Sequence, residues 1–227
     1  CAPAHVVNAF VIETTIDELA ARAKRSPVHL RLDILGDTSD VPKSQDDASP
    51  YDPARMRRVL LEVVERGGFG KPAPEGRARG LAMHHTFGSY CAHVVELSIA
   101  PGSNAQKRVT IHKVVSVGDV GQPVNLSMLE AQMQGGVIDG IGAAFYGEVP
   151  IANGRAASRN FGDYRLIRMR EAPTTIEAHF IKSQLRPTGF GEPPLPPIAP
   201  AVANAIAALT GDRIRMMPFI RAGYVLS

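Results

Sequence analysis

Residues 90–99 read YCAHVVELSI, and the stretch alternates: Cys91, His93, Val95, Leu97 and Ile99 fall on one side, Ala92, Val94, Glu96 and Ser98 on the other. A period of two is the side-chain period of a strand, so this is a strand with two distinct faces. After the turn-rich PGSNAQK the alternation resumes with Val109, Ile111, Lys113, Val115 and Val117. Two such runs joined by turn residues predict antiparallel neighbours in one sheet. Further strands are predicted at residues 176–181 and 214–219, and Asn153-Gly154 marks a tight hairpin.

Working outward, the periodicity changes to that of helices. Over residues 7–24, Ile12, Ile16, Leu19, Ala20 and Ala23 recur at helical spacing, with Asn8, or a Thr15–Glu18 box, as the cap. Ser26-Pro27 predicts cap and first position of a second helix ending at Gly36. Residues 37–52, DTSDVPKSQDDASPYD, are acidic and turn-rich and predict a solvated loop. Asp52-Pro53 caps a third helix whose Met56, Val59, Leu60, Val63 and Val64 form one apolar face, and GGFG at 67–70 stops it. Helices are also predicted over 127–145, with glycines at 135, 136, 140 and 142, and over 199–209, with Gly211 beyond its end. Each helical glycine costs about 1 kcal/mol against alanine, so something approaches that backbone: a packed neighbour or a ligand. The class is α+β, a mostly antiparallel or mixed sheet with flanking helices.

A chain of 227 residues with 44% hydrophobic and 21% charged residues supports a substantial core. Its formal charge of +3 is spread along the chain rather than striped, which argues against nucleic acid as a partner. The apolar runs are too short for a membrane-spanning segment, and no signal-peptide pattern opens the chain. Cytoplasm and periplasm stay equally open. Cys1 and Cys91 are too few for a zinc ribbon or an iron–sulfur site, and the seven histidines show no ligand spacing, so no metal ligand is assigned. Any redox chemistry here needs a group the chain does not itself provide.

One window does suggest chemistry. Residues 186–206 read RPTGFGEPPLPPIAPAVANAI. Gly189 and Gly191 permit backbone angles closed to other residues, while Pro193, Pro194, Pro196 and Pro197 stiffen the next few residues. Glu192 is therefore displayed on a loop with a rigid downstream arm, feeding the N-terminus of the last helix. A general base needs such fixed placement, and apolar neighbours such as Phe190 and Leu195 to tune it. Alone, the window reads first as a proline-rich surface connector carrying an incidental glutamate.

The stretch PTGFGEPPLPPIAPAVANAIAALTGDRIRMMP resembles the C-terminal signature of the molybdenum-binding subunits of the xanthine dehydrogenase and aldehyde oxidase family, in particular the isoquinoline 1-oxidoreductase beta-subunit type. Four further blocks match in order: NAFVIETTIDELA, GRARGLAMHHTFGSYCAHVVELSI, AQMQGGVIDGIGAAFYGEV and RNFGDYRLIRMREAP. The resemblance covers essentially the whole chain. It implies a molybdopterin-binding type of domain over residues 53–227, forming one folded unit with a helical segment at 1–36, the two joined by the loop at 37–52. It implies that Glu192 is the catalytic base, taking a proton from a molybdenum-bound hydroxide during hydroxylation of an aldehyde or an N-heterocycle. Gln132 then matches a glutamine contacting molybdopterin, with Gly135 and Gly136 in the same motif, and Gly189 and Gly191 match the loop that lets the base reach the metal. Asp119, Asn125, Asp163 and Glu171 are expected as scaffold.

Departures from the family pattern set further expectations. A complete subunit of this kind is about three times as long, and its upstream Met-Gly-Gln-Gly and Gly-Gly-Ser type loops have no counterpart here. Cys1-Ala2-Pro3-Ala4 stands where the family has arginine, a small residue, proline and glycine. The chain is thus expected to be a C-terminal portion, inactive and without molybdopterin alone, completed by the missing N-terminal portion. A separate iron–sulfur subunit would carry electrons away. The alternative is a non-catalytic structural or interaction module derived from the same family.

Overall fold

A computed structural model describes residues 2–36 and 51–227; most of the loop expected at 37–52 lies outside the described residues. Three helices come first, α1 (Pro3–Arg22), α2 (Pro27–Leu35) and α3 (Pro53–Arg66). A three-stranded meander comes next, β1 (Arg77–Thr86), β2 (Ser89–Pro101) and β3 (Lys107–Asp119). Then come α4 (Leu126–Tyr146), a small hairpin β4 (Ile151–Ala152) and β5 (Arg155–Ala156), β6 (Thr175–Phe180), α5 (Ile198–Thr210) and β7 (Tyr224–Leu226). The predicted caps of α2 and α3 are in place: Ser26 Oγ accepts from the backbone N–H of Val28 and His29, and Asp52 from those of Ala54 and Arg55. Asn153 and Gly154 both take positive φ, 51° and 72°, as a tight hairpin turn requires.

The sheet runs β1-β2-β3-β6, with β7 also on β3. The meander is antiparallel; β6 and β7 are parallel to β3 and share its free edge, β6 beside Lys113–Gly118 and β7 beside Lys107–Val109. Helices cover both faces, which is why β2 is buried along most of its length. On one face Val95, Leu97, Val109, Ile111 and Val114 pack with α4 and α5. On the other Ala92, Val94, Val115 and Val117 pack with Met56, Val59, Leu60 and Val63 of α3.

Three expectations need correction. The alternation over β3 does not hold through: the register shifts opposite Glu96 and Leu97, and His112 is skipped. One extra residue reverses side-chain parity, so Val109 and Ile111 face α4 and α5 while Val115 and Val117 face α3. The strand expected at 214–219 does not form. Pro218 has no N–H for a ladder, and a 3₁₀ turn over Phe219–Ala222 leads into the shorter β7. Helix α1 starts earlier than predicted, so Asn8 and Thr15 lie inside it, and Ala2 precedes it without a side-chain cap. Ala9, Phe10, Glu13, Thr14 and Ala20 face inward, whereas Ile12 and Leu19 are half exposed.

A buried ion pair between Glu13 of α1 and Arg31 of α2 explains that rotation. Glu13 Oε2 accepts from Arg31 Nε at 3.0 Å, Arg31 Nη2 at 2.9 Å and the Met83 N–H at 3.0 Å. Asn204 Nδ2 on α5 donates to the Leu81 carbonyl at 3.0 Å. Four elements, α1, α2, β1 and α5, are joined through this buried network, and burial raises the Glu13 pKa against the opposing pull of Arg31.

Candidate functional site

The proline-rich loop between β6 and α5 is seated on the ends of β2, β3 and α4. Phe190 turns inward, its ring 5.1 Å from that of Phe180 and tight against Gly118, where a β-carbon would lie 2.7 Å from Phe190 Cζ. Ser89 Oγ donates to the Gly189 carbonyl at 2.7 Å, and the Thr188 N–H donates to the Val120 carbonyl at 2.9 Å. Pro193 to Pro197 are all buried. With four prolines the segment has few N–H groups of its own; Leu195 N–H closes a turn on the Glu192 carbonyl at 3.0 Å.

Gln132 and the loop meet. A β-carbon on Gly191 would lie 3.3 Å from Gln132 Nε2. Glu192, the next residue, is half-buried, and its Oε2 accepts from the Ala2 N–H at 3.0 Å, just ahead of α1. Gly136 packs on the Pro194 ring, where a β-carbon would lie 2.8 Å from Pro194 Cβ. Gly135 differs: among the described residues nothing lies within 4 Å of a β-carbon placed there. Neither Gly189 nor Gly191 takes a positive φ, so special backbone angles are not what these positions use. At Gly191 the missing side chain itself matters, because it admits the Gln132 amide.

Beside Gln132 a groove of about 240 Å³ runs between the start of α4 and the loop, lined by Gln122, Asn125, Met128, Thr188 and Phe190 among others. Among the described residues its lining carries no charged side chain; amides, a hydroxyl and apolar groups face it. Such a wall suits a neutral, flat, hydrogen-bonding group.

The residues expected as scaffold are tied into local structure. Asp119 pairs bidentately with Arg55, at 3.0 and 2.7 Å, and caps the Gly121 N–H. Asn125 caps α4, Asp163 accepts from the N–H of Arg159 and Asn160, and buried Glu171 accepts from Tyr146 Oη and the Arg168 N–H.

Two features were not singled out in the sequence. His93 is fully buried beneath the loop, its Nε2 2.7 Å from the Pro194 carbonyl oxygen; its only signal was its place among Cys91 and Val95 on one strand face. His5 Nδ1 lies 3.0 Å from His84 Nε2, near the Ala2 end of α1. Burial, then the neighbouring His5 and His85, holds the His84 pKa down to about 4. Cys91 is buried with its thiol pushed well above the usual value, so it stays protonated. Among the described residues, no three His, Cys, Asp or Glu side chains are grouped to hold a metal ion.

Residues 46–173 match the family described as the molybdopterin cofactor-binding domain. The chain belongs to that family. As a molybdopterin cofactor-binding domain it is 31% identical, over 92% of its length, to isoquinoline 1-oxidoreductase subunit beta of Brevundimonas diminuta. It is 28% identical, over 91% of its length, to the membrane-bound aldehyde dehydrogenase [pyrroloquinoline-quinone] of Gluconacetobacter polyoxogenes. These alignments span 25% and 27% of the two relatives, so the domain corresponds to about a quarter of each. The fold matches the aldehyde oxidoreductase of Desulfovibrio gigas with a TM-score of 0.69 at 12% identity, over 97% of this chain and 40% of that one. The family resemblance and the α+β class expected from sequence are both borne out.

For a molybdopterin, the residues present fit one wall of a site. Gly135 leaves an open side on α4, Gly191 makes room for the Gln132 amide, and the groove beside them is uncharged. Among the described residues no cation lines that groove, so none of them there would hold a phosphate.

Proposed function

We propose that this domain is the base-bearing wall of a molybdenum-dependent oxidoreductase that hydroxylates an N-heterocycle or an aldehyde. The observation that carries this reading is the contact between Gln132 and Gly191, which sets the cofactor-contact candidate beside the loop displaying Glu192. Gln132 and the open face at Gly135 would hold the pterin. When bound, the cofactor supplies the two-electron oxidation, water supplies the oxygen, and two protons leave with the electrons.

Glu192 would accept one of those protons. Its Oε2 is held by the Ala2 N–H, which fixes the rotamer and leaves Oε1 for proton transfer. The buried run from Pro193 to Pro197 limits the wobble of the carboxylate. Gly136 packs against that run and is assigned to spacing rather than to ligand contact. The rest of the molybdenum subunit, about three quarters of the relatives' length, would supply the remaining walls, and iron–sulfur clusters on a partner subunit would take the electrons. The isolated chain is then inactive.

The deciding experiment is Glu192→Gln in the assembled enzyme. Turnover should fall by about 10²–10⁴-fold, the usual contribution of a general base, with molybdenum content retained. Loss of cofactor together with activity would make Glu192 structural, and unchanged turnover would reject the assignment. Gln132→Ala should lower cofactor retention or slow turnover; an unaltered enzyme would remove Gln132 from the site.

A further inference from the structure

His93 lies in the middle of β2, with no solvent exposure. Both ring nitrogens are engaged: Nε2 is 2.7 Å from the Pro194 carbonyl oxygen, and Nδ1 is 2.8 Å from Ser116 Oγ on β3. A carbonyl only accepts, so Nε2 carries the proton and Nδ1 accepts from the Ser116 hydroxyl. Cys91 Sγ, 3.7 Å from Nε2, is a protonated thiol and brings no charge. Burying an imidazole among valine and alanine costs free energy unless its bonds are needed.

The need is visible at Pro194. Its carbonyl is buried in a segment where four of five residues lack an N–H, so the loop's own backbone is short of donors. Pro194 is also where two parts of the site join. Gly136, one turn along α4 from Gln132, packs on its ring, and Glu192 stands two residues before it. Whatever fixes Pro194 fixes how the loop carrying Glu192 sits against the helix carrying Gln132.

We infer that His93 is a positioning residue: through the Nε2–H bond to Pro194 it sets the placement of Glu192 relative to Gln132. It acts through Pro194 and touches neither reacting atoms nor cofactor. The inference rests on the reading of Glu192 as base, and the test separates the two.

The test compares His93→Leu and His93→Gln, in the assembled enzyme and in the chain itself. In H93L, kcat should fall about tenfold or more with KM within about twofold and molybdenum retained, the signature of misplacement rather than lost binding. In the chain, amide hydrogen exchange at Leu195 and Ile198 should speed up about tenfold while that of β2 and β3 holds. H93Q, whose side-chain amide reaches the same carbonyl, should recover at least about half of kcat. Uniformly faster exchange across the sheet would reduce His93 to a structural role and overturn the inference. So would wild-type kcat in H93L, or an H93Q no better than H93L. If Glu192→Gln keeps wild-type turnover while Leu195 and Ile198 still loosen in H93L, the base reading fails and the tether stands.

Discussion

Gly140 on α4 and Ile198 at the start of α5 touch without space between them: a β-carbon on Gly140 would lie 2.1 Å from Ile198 Cγ2 and 3.0 Å from the Leu195 carbonyl oxygen. This is the close approach for which α4 gives up helix propensity. The glycine serves packing, and it lets the proline loop and α5 lie against α4. Gly140→Ala should destabilise the chain by about 1–3 kcal/mol through overpacking, read as a lower urea midpoint at unchanged slope.

Gly135 should behave in the opposite way. It lies on the same helix with open space around it, so Gly135→Ala should raise chain stability by about 0.5–1 kcal/mol from helix propensity alone. If the pterin lies against that face, the same methyl group should lower molybdenum content in the assembled enzyme. A stabilised G135A enzyme with full molybdenum and full turnover would take Gly135 out of the cofactor site.

Arg31 is fully buried, with its guanidinium on Glu13, the Pro27 carbonyl and the Leu81 carbonyl. Arg31→Met removes one charge and strands the other, and should cost about 3–5 kcal/mol. Removing both charges in Glu13→Leu/Arg31→Met should recover part of that loss, because no unpaired ion is then left in the interior. Denaturation of the two single variants and the double variant gives the coupling directly; additive losses would show that the pair is not coupled.

How much of this was legible depended on whether the cause was local. The caps Ser26 and Asp52 and the hairpin turn Asn153-Gly154 were readable because one or two residues' side chains or φ angles make each one. The parity switch in β3 was not, since His112 looks like any other strand residue until its partner strand skips it. The inward face of α1 was misread because Glu13 is buried by a partner eighteen residues away, which no helical period reveals. Glu192 was found as an oddity, a carboxylate between glycine and proline. The Gln132–Gly191 contact joins residues 59 positions apart and was reachable only through the family motif. His93 shows the same limit: alternation places it indoors, but only the fold brings Pro194 to it.

The buried histidines also predict how stability depends on pH. Burial, partly offset by the bond to Pro194, holds the His93 pKa down to about 4 from its ordinary 6.5. Above about pH 6.5 the ring is neutral folded and unfolded, and its contribution is full. As pH falls from 6.5 towards 4 the unfolded chain takes up a proton that the folded chain refuses, so stability drops. The loss from His93 is on the order of 3 kcal/mol, and below about pH 4 it stops growing. His84, also held near 4, adds in the same direction, while Glu13, whose pKa burial raises, opposes both. The informative quantity is therefore a difference in slope. Between pH 6.5 and 4.5, His93→Gln should lose stability more gently than the wild type, by about 1.4 kcal/mol per pH unit, whatever its level at pH 7. Parallel curves for the two proteins would mean that His93 takes up its proton in the folded state at an ordinary pH, and hence that the protonated Nδ1 donates to Ser116 Oγ, the hydroxyl having turned to accept.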